Sequence, residues 1–335
     1  MGSGIVNKIR PGLHSIRPTF DNLPWTIAMA AAPRARPEDF FSPAEWTALT
    51  ARSMWKGLWC VAHCWGVIGL AMLLAARWPL LIPLAVLVIG TRQLGLFILM
   101  HDAAHALLHN NRRINDWVGH WLCSTGLRAY RPYHLQHHRF VQQTEDPDLV
   151  LSAPFPVTRA SFGRKVLRDL SGQTWLKQHF GALLDGIRRR PAGTPPWRPL
   201  LQGLADKRRF LLANALAFGL FAAAGQAWVW LVLWLLPAMT WLQLVYRVRN
   251  IAEHALVAQN QPDPLRQART THANWLERAL VAPYWVNYHG EHHLFTQLPC
   301  WQLPLAHRLL QRGGVTTRME LQPGYLAVLR LATAG

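Results

Sequence analysis

Long apolar runs constrain the fold of this chain more strongly than any other feature of its sequence. Leu58–Ala76 contains no Lys, Arg, Asp or Glu, and Leu80–Met100 is interrupted only at Arg92 and Gln93. A membrane-spanning helix needs about 17–25 residues of this kind, and such runs are rare in soluble proteins. We therefore predict spanning helices, with buried helices of a large soluble protein as the alternative. The predicted spans cover residues 58–76, 80–100, 210–227 and 228–246.

The connections within each pair of runs are short, which predicts two helical hairpins. Arg77-Trp78-Pro79 joins the first pair, and Gly225-Gln226 joins the second. The third run, Phe210–Ala224, is short for a span and must borrow residues from its flanks. The predicted fold class is an all-α integral membrane protein with four transmembrane helices.

The formal net charge of +18 is unevenly distributed along the chain. Except for Arg77 and Arg92, every Lys and Arg lies in residues 1–56, 101–209 or 247–335. Basic segments beside spanning helices stay in the cytoplasm, so both termini of this multi-pass chain are predicted to be cytoplasmic. Anionic membrane lipids are the expected partners of this charge. No nucleic-acid partner is expected, because the Arg residues flank spans and no nucleic-acid-binding fold signature is present.

These features divide the chain into three parts. Residues 1–54 are predicted to form an N-terminal cytoplasmic arm, residues 55–310 a membrane domain, and residues 311–335 a C-terminal cytoplasmic tail. Within the arm, Ser42-Pro43-Ala44-Glu45 has the pattern of a helix start. A polar insertion, residues 152–209, includes a candidate cationic surface helix around residues 162–187.

Nine histidines fall into four tight clusters, and neutral imidazole is a good ligand for iron, zinc, copper and nickel. Residues three and four apart on a helix share a face, so each cluster points its polar groups one way. Nine imidazoles exceed what one ion can use, which suggests two ions. The clusters are His101-Asp-Ala-Ala-His105, His134-Leu-Gln-His137-His138, Asn250-Ile-Ala-Glu-His254 and His289-Gly-Glu-His292-His293. Nearby carboxylates expected to accept N–H bonds from ligand rings are Asp102, Asp146, Asp148, Glu253 and Glu291.

The clusters are placed so that they can converge. The first and third directly follow the second and fourth apolar runs, and the other two lie in basic segments. All four can therefore meet just inside the cytoplasmic membrane surface. Such a metal centre could belong to an enzyme. A histidine-lined metal transporter is the non-enzyme alternative, but it would need polar ligands near the bilayer midplane. A structural or lipid-binding membrane protein is the third alternative, and it predicts no stoichiometric iron.

These motifs make the chain resemble the membrane fatty acid desaturase superfamily, the integral-membrane di-iron desaturases, hydroxylases and ketolases. The resemblance covers roughly residues 55–310 and includes Thr144-Glu-Asp-Pro-Asp148 after the second cluster. It implies four spanning helices under a cytoplasmic helical cap that carries the histidines. It also implies two iron ions, with Asn250 acting through a water. The implied ligands are His101, His105, His134, His137, His138, His254, His289, His292 and His293.

The resemblance further implies the chemistry. With O2 as cosubstrate and external electrons, the two irons would remove hydrogen from a methylene group of a lipid. Desaturation of a fatty acyl chain is the favoured reaction, and hydroxylation or ketolation of a lipid or carotenoid is the alternative. No His-Pro-Gly-Gly segment is present, so a fused cytochrome b5 domain is not expected. Electrons would come from a separate donor of the ferredoxin, rubredoxin or cytochrome b5 type.

Overall fold

The computed structural model describes residues 31–191 and 193–335, so the first thirty residues of the predicted arm lie outside the described part. The described chain is mostly helical. Its α-helices are α1 (Pro43–Thr50), α2 (Lys56–Arg77), α3 (Ile82–Ala104), α4 (Arg112–Val118), α5 (Leu127–Arg139), α6 (Leu149–Ser152), α7 (Arg159–Leu170), α8 (Gln173–Arg188), α9 (Trp197–Asp206), α10 (Arg208–Ala223), α11 (Ala227–Trp230), α12 (Leu236–Met239), α13 (Trp241–His254), α14 (Trp275–Leu280), α15 (His289–Leu294), α16 (Leu303–Arg312) and α17 (Tyr325–Ala332).

Shorter elements connect these helices. Two π-helical turns cover Gly119–Cys123 and Leu231–Leu235. The 3-10 turns are Pro37–Asp39, Pro79–Leu81, Pro264–Arg266, Pro283–Trp285, Cys300–Gln302 and Val315–Arg318. Two strands, β1 (Arg269–Thr271) and β2 (Glu320–Gln322), pair in parallel with Arg269 opposite Glu320. The predicted all-α class therefore needs one small correction, a two-stranded sheet.

Three helices among the described residues are long and apolar enough to cross a membrane: Lys56–Arg77, Pro79–Ala104 and Ala227–His254. They correspond to the first, second and fourth predicted spans. The third predicted span is α10, whose 16 residues extend about 24 Å, less than the roughly 30 Å hydrocarbon core. Because α9 ends at Asp206 and a turn follows, α10 gains no length from its N-terminal flank. The prediction of four spanning helices is thus not confirmed.

The helix Ala227–His254 changes its winding near Pro237. Proline has no N–H, so the carbonyl one turn earlier loses its helical donor, and the chain rewinds as the π-helical turn just before it. Gln93 of α3 reaches this region, and its Nε2 donates to the Trp234 carbonyl at 2.8 Å. The polar residue inside the second apolar run therefore joins the two long helices.

Arg92, the charged residue in the same run, also has a partner. Its Nη2 donates to the Ala279 carbonyl at 3.1 Å, and its guanidinium lies 5.7 Å from the Tyr284 ring centroid. The chain between α14 and α15 packs tightly on α3 here, because a Cβ on Gly95 would lie 2.7 Å from Tyr284 Cε2. This contact fixes the segment that leads into the fourth histidine cluster.

The helix start predicted at Ser42 is confirmed. The single surface helix predicted around residues 162–187 is wrong, because the chain forms two helices there. Ser42 accepts the Glu45 N–H, and the Glu45 carboxylate accepts the Ser42 N–H at 2.8 Å. Around residues 162–187 the chain forms two helices, α7 and α8, because Gly172 adopts a left-handed φ of 78° between them. Arg247 holds α7 to α13 through Nη2, which donates to buried Asp169 at 2.8 Å.

Two groups of buried apolar side chains form the core. The larger one joins α2 and α3 to α1, α15 and α16, with Leu49, Ile68, Ile89, Leu99 and Phe295 among its most buried members. The smaller one joins α3, α13 and α17. Residues 311–335, expected as a tail, contain β2 and α17, and α17 buries Val328 in the smaller group.

Candidate metal centre

Four helices carry the nine clustered histidines to one place. The first cluster lies at the C-terminal end of α3, and His254 is the last residue of α13. The ends of two long apolar helices therefore meet at the site. The short helices α5 and α15 carry the two His-x-x-His-His clusters against these ends.

The histidines form two groups, and within each group the possible ligand atoms all lie within 4.8 Å of one another. The sequence had predicted these nine residues and two ions, and the structure brings all nine together. The first group contains His101, His105, His134, His138 and His292, and the second contains His137, His254, His289 and His293.

Each His-x-x-His-His cluster is divided between the two groups. On α5, residues 134 and 138 are four apart and share a face, so they join the first group, while His137 projects from a neighbouring face into the second. On α15 the division is reversed, because residues 289 and 293 join the second group and His292 joins the first. The two groups therefore lie side by side between α5 and α15.

The spacing of the ring nitrogens in the first group suits metal ligands. His134 Nε2 lies 2.9 Å from both His105 Nε2 and His138 Nε2, and His292 Nε2 lies 3.0 Å from His138 Nε2. Metal–nitrogen bonds of about 2.1 Å set at right angles place neighbouring ligand atoms roughly 3.0 Å apart. These nitrogens therefore fit the edges of one coordination shell.

The second group has similar spacing. His289 Nε2 lies 2.8 Å from His254 Nε2, and His137 Nε2 lies 3.3 Å from His293 Nε2.

A further sign of metal binding comes from His101 in the first group, whose Nε2 is buried and has no hydrogen-bond partner in the described chain. An unpaired buried nitrogen is costly, and a bound ion would supply its missing partner. The donor sets thus fit two metal ions.

Burial keeps most of these rings neutral, which is the protonation state that binds metal. Desolvation, followed by the neighbouring imidazoles, holds the pKa of His134, His138, His289 and His293 well below the usual value. Burial and the nearby Arg131 lower the pKa of His105 to about 4. Neutral nitrogens are therefore available as ligands at neutral pH.

Asp146 fixes the orientation of His137. Burial lowers the pKa of His137, but the hydrogen bond from its Nδ1 to Asp146 Oδ1, 2.8 Å long, outweighs that effect and raises it. With Nδ1 engaged, Nε2 is directed toward the second group. Asp146 is itself held by the backbone N–H groups of Gln142 and Asp148, at 2.9 and 2.8 Å.

The other predicted carboxylates differ in their closeness to the rings. Asp102 lies 3.4 Å from His101 Nδ1 and accepts the Cys300 N–H at 3.0 Å. Asp148 lies 3.8 Å from His137 Nδ1 and accepts the Tyr133 hydroxyl hydrogen bond at 2.5 Å. Only Asp146 and Asp102 thus lie within hydrogen-bonding distance of a ring among these three acids.

Glu253 and Glu291 do not accept a hydrogen bond from the ring nitrogen that faces away from the histidine groups. Glu253 Oε2 lies 3.6 Å from His289 Nε2, the nitrogen that faces the second group. The fully buried Glu291 instead pairs with Thr270 and with His307, whose Nδ1 is 2.6 Å from Glu291 Oε1. Glu291 therefore ties α15 to α16 and β1.

Asn250 lies one helical turn before His254 and is half-buried. Across residues 31–191 and 193–335 its side-chain amide makes no hydrogen bond with the protein. The geometry leaves the amide free to bind a water, and its predicted role through water stays a prediction.

Strained backbone supports the ends of both histidine-bearing helices. Ala106 has φ 62° two residues after α3 ends, and Leu256 has φ 64° two residues after α13 ends. Gln142, with φ 59°, donates from Nε2 to the His254 carbonyl at 2.9 Å. Non-glycine residues adopt this conformation only where surrounding contacts require it, and such residues concentrate at functional sites.

Sequence reasoning missed several residues around the site. The role of Gln142 could not be predicted, because nothing in the neighbouring sequence indicates a left-handed backbone conformation. Tyr130 stacks on His134 with ring centroids 5.0 Å apart. Arg249 was counted only as basic flanking charge, although its four-residue spacing from Glu253 was a signal that could have been used.

The sequence model of the fatty acid desaturase family matches residues 76–320 of this chain. The chain is 28% identical over 283 residues to a dihydrorhizobitoxine desaturase of Bradyrhizobium elkanii, covering 77% of this chain and 73% of that protein. It is 26% identical over 272 residues to a chloroplastic omega-6 fatty acid desaturase of Glycine max, covering 73% of this chain and 60% of that protein. It is also 25% identical over 261 residues to a beta-carotene ketolase of a Paracoccus species, covering 76% of this chain and 89% of that protein.

Proposed function

Since the chain belongs to the fatty acid desaturase family, we propose that it is a membrane di-iron enzyme that uses O2 to desaturate a fatty acyl chain. Family membership confirms the resemblance predicted from the histidine motifs and makes the chain an oxidoreductase. The transporter and the purely structural alternatives are therefore set aside. The omega-6 desaturase of Glycine max supports an acyl substrate.

The observation that carries this proposal is the pair of histidine groups. Five and four imidazoles, gathered from helices far apart in sequence, present closely spaced nitrogens to two points. Scattered histidines would have no reason to adopt this arrangement. All nine are proposed as iron ligands, with Asn250 acting through a water on the second ion.

We propose a membrane arrangement of four crossings in two hairpins, α2–α3 and α10–α13. The 28 residues of Ala227–His254 extend about 42 Å, longer than the hydrocarbon core, so its histidine-bearing end would project beyond the lipid. The short α10 would cross by local thinning of the bilayer. The basic segments favour cytoplasmic placement of the termini and the histidines. The proposed boundaries are 1–54, 55–310 and 311–335.

The chain's own residues have three tasks in this reaction. Neutral imidazoles would hold the ions, and Asp146 keeps Nε2 of His137 directed toward the second group. The long apolar helices let a lipid reach the site without crossing bulk water. The buried surroundings exclude water and hold one methylene in place, which lowers the entropy cost of reaction. When bound, the iron pair supplies the O2-dependent oxidation of an unactivated C–H bond that no side chain can perform.

Two further partners complete the proposal. A separate electron donor of the ferredoxin, rubredoxin or cytochrome b5 type would dock on the basic cytoplasmic face, because such small donors are commonly acidic. Anionic lipids would bind the cationic insertion, where α7 and α8 combine Arg and Lys with exposed Leu167, Leu176 and Phe180.

Ketolation or hydroxylation of a lipid or carotenoid is the second candidate function. It is favoured by the beta-carotene ketolase of Paracoccus, of which the chain covers a larger share than of either desaturase described above. The same ligand set would serve both reactions, so the substrate pocket and not the metal site would decide between them.

Lipid mass spectrometry of cells with and without the gene tests the proposal. Desaturation removes two hydrogens from an acyl chain, whereas hydroxylation adds one oxygen. His137→Ala and His292→Ala should each abolish the product and lower bound iron, because each removes a ligand from one group. The matched control His272→Ala changes an exposed histidine outside both groups. Wild-type product from either ligand variant would refute the di-iron assignment.

A further inference from the structure

One face of α13 carries polar side chains up to the site. Tyr246, Arg249, Asn250 and Glu253 are spaced three or four residues apart, so they share a face with His254. Solvent reaches this face, since Tyr246 and Asn250 are half-buried and the Arg249 side chain is 13% exposed. This polar face lies at the end of the long apolar helix that carries His254.

Arg249 is only partly used by the protein. Its Nε donates to Glu253 Oε1 at 2.6 Å, and its guanidinium carbon lies 5.8 Å from the Tyr246 ring centroid. In the described part of the chain, no acceptor is bonded to its two terminal nitrogens. A guanidinium has five N–H donors, so one edge can hold Glu253 while the other remains available.

Two tyrosines of α5 and α13 lie at the same site. The ring centroid of Tyr246 is 5.8 Å from the Arg249 guanidinium carbon, and the ring of Tyr130 stacks on His134. Among the residues that the structure describes, neither tyrosine hydroxyl has a hydrogen-bond partner. In the described residues, the terminal nitrogens of Arg249 and the two tyrosine hydroxyls are therefore donors without a protein acceptor.

Arg249 lies close to the second histidine group. The Glu253 carboxylate contacts Arg249 through Oε1, and its Oε2 lies 3.6 Å from His289 Nε2. A single carboxylate thus separates the guanidinium from a nitrogen proposed as an iron ligand. A group bound by Arg249 would therefore be held on the side of the site where the second histidine group lies.

We propose that Arg249 binds the oxyanion headgroup of the substrate, a carboxylate or a phosphate, with the hydroxyls of Tyr130 and Tyr246 as additional donors. This inference rests on the proposed function and narrows its substrate class. A guanidinium edge matches a planar or tetrahedral oxyanion with two parallel hydrogen bonds. The position of oxidation is then set by its distance from the headgroup, and not by its distance from the methyl end.

Binding to the full-length, metal-loaded protein in the absence of any electron donor tests the anion site without turnover. The probes are radiolabelled hexadecanoic acid and its methyl ester, which differ only in the charge of the headgroup. We expect the acid to bind at least tenfold more tightly than the ester, from the usual strength of charge-assisted hydrogen bonds. Competition with phosphatidylglycerol identifies a phosphate source, and competition with short carboxylates alone identifies a carboxylate source.

Two variants keep the fold while changing the site. Arg249→Lys retains the charge beside Glu253 but loses the paired N–H edge, so acid binding should weaken about tenfold. Tyr246→Phe removes only a hydroxyl and should weaken acid binding about three- to tenfold. Binding of the ester should not change. The matched control Arg308→Gln, an exposed arginine on α16, should leave both affinities unchanged.

The position of oxidation provides an independent measurement. In cells fed saturated acids of different lengths, the new double bond or oxygen should stay at the same carbon counted from the carboxyl end. Equal binding of acid and ester by the wild-type protein, or oxidation at a position counted from the methyl end, overturns the anion site. Acid-selective binding without any oxidation would instead leave the site standing and refute the proposed function.

Discussion

Replacing Asp146 with Asn should weaken iron binding at the second histidine group more than at the first. Asp146 accepts three hydrogen bonds, from His137 Nδ1, from the Asp148 N–H and from the Gln142 N–H. An Asn side chain has only one acceptor oxygen. In either orientation, its NH2 group therefore faces at least one N–H donor.

The magnitude follows from these contacts. One buried hydrogen bond would be lost and its donor left unpaired, which costs about 1–3 kcal/mol. His137 would also lose the negative charge that holds its tautomer and strengthens it as a ligand. Loss of such a supporting carboxylate typically lowers metal affinity about 10–100-fold, equivalent to roughly 1.4–2.7 kcal/mol.

Iron loading of purified protein against a graded series of chelators would measure this effect. We expect two iron atoms per wild-type chain and, in Asp146→Asn, one that is lost at a lower chelator concentration. Asp148→Asn is the matched control, because its carboxylate lies 3.8 Å from His137 Nδ1, beyond hydrogen-bonding distance. Two irons held as tightly as in the wild type, or equal losses in both variants, would refute this account of how His137 is oriented.

Three further predictions concern stability. Phe295→Ala should lower the free energy of unfolding by about 3–5 kcal/mol, seen as a lower melting temperature in detergent, because this 1% exposed ring packs against Phe41 and other aromatic rings. Asp169→Asn should destabilise the protein by a similar 3–5 kcal/mol, since the buried partner of Arg247 is lost, and an unchanged melting temperature would contradict it. Burial raises the pKa of Asp116, but hydrogen bonding, chiefly from Arg131, outweighs burial and lowers the pKa to about 2. The ionised carboxylate therefore stabilises the fold above pH 4, and this contribution is lost as pH falls toward 2. Asp116→Asn should therefore remove part of the acid sensitivity in that window, which unfolding measured at a series of pH values would detect.

The sequence was sufficient to predict which histidines gather, because helical spacing decides which side chains share a face. It was not sufficient to predict how the clusters divide between the two groups. Whether His138 belongs with His292 or with His293 depends on how α5 and α15 lie against each other, which is a property of tertiary packing.

Tertiary packing and local backbone conformation also explain the other differences between the predicted and the observed fold. The hydropathy of residues 210–227 predicted a span, but hydropathy does not reveal that the helix begins at Arg208 and ends at Ala223. Gly172 was one glycine among many until its left-handed conformation separated α7 from α8. The parallel pairing of β1 with β2 joins segments about fifty residues apart, and strands of three residues carry too little periodicity to detect.

The division of neighbouring histidines between the two groups links the fates of the proposed irons. His137 and His138 share one short helix, and His292 and His293 share another, so any rotation of α5 or α15 displaces rings at both positions. The first ion to arrive would lock the orientation of both helices and so prepare the nitrogens for the second. Filling one iron position should therefore raise the iron affinity of the other.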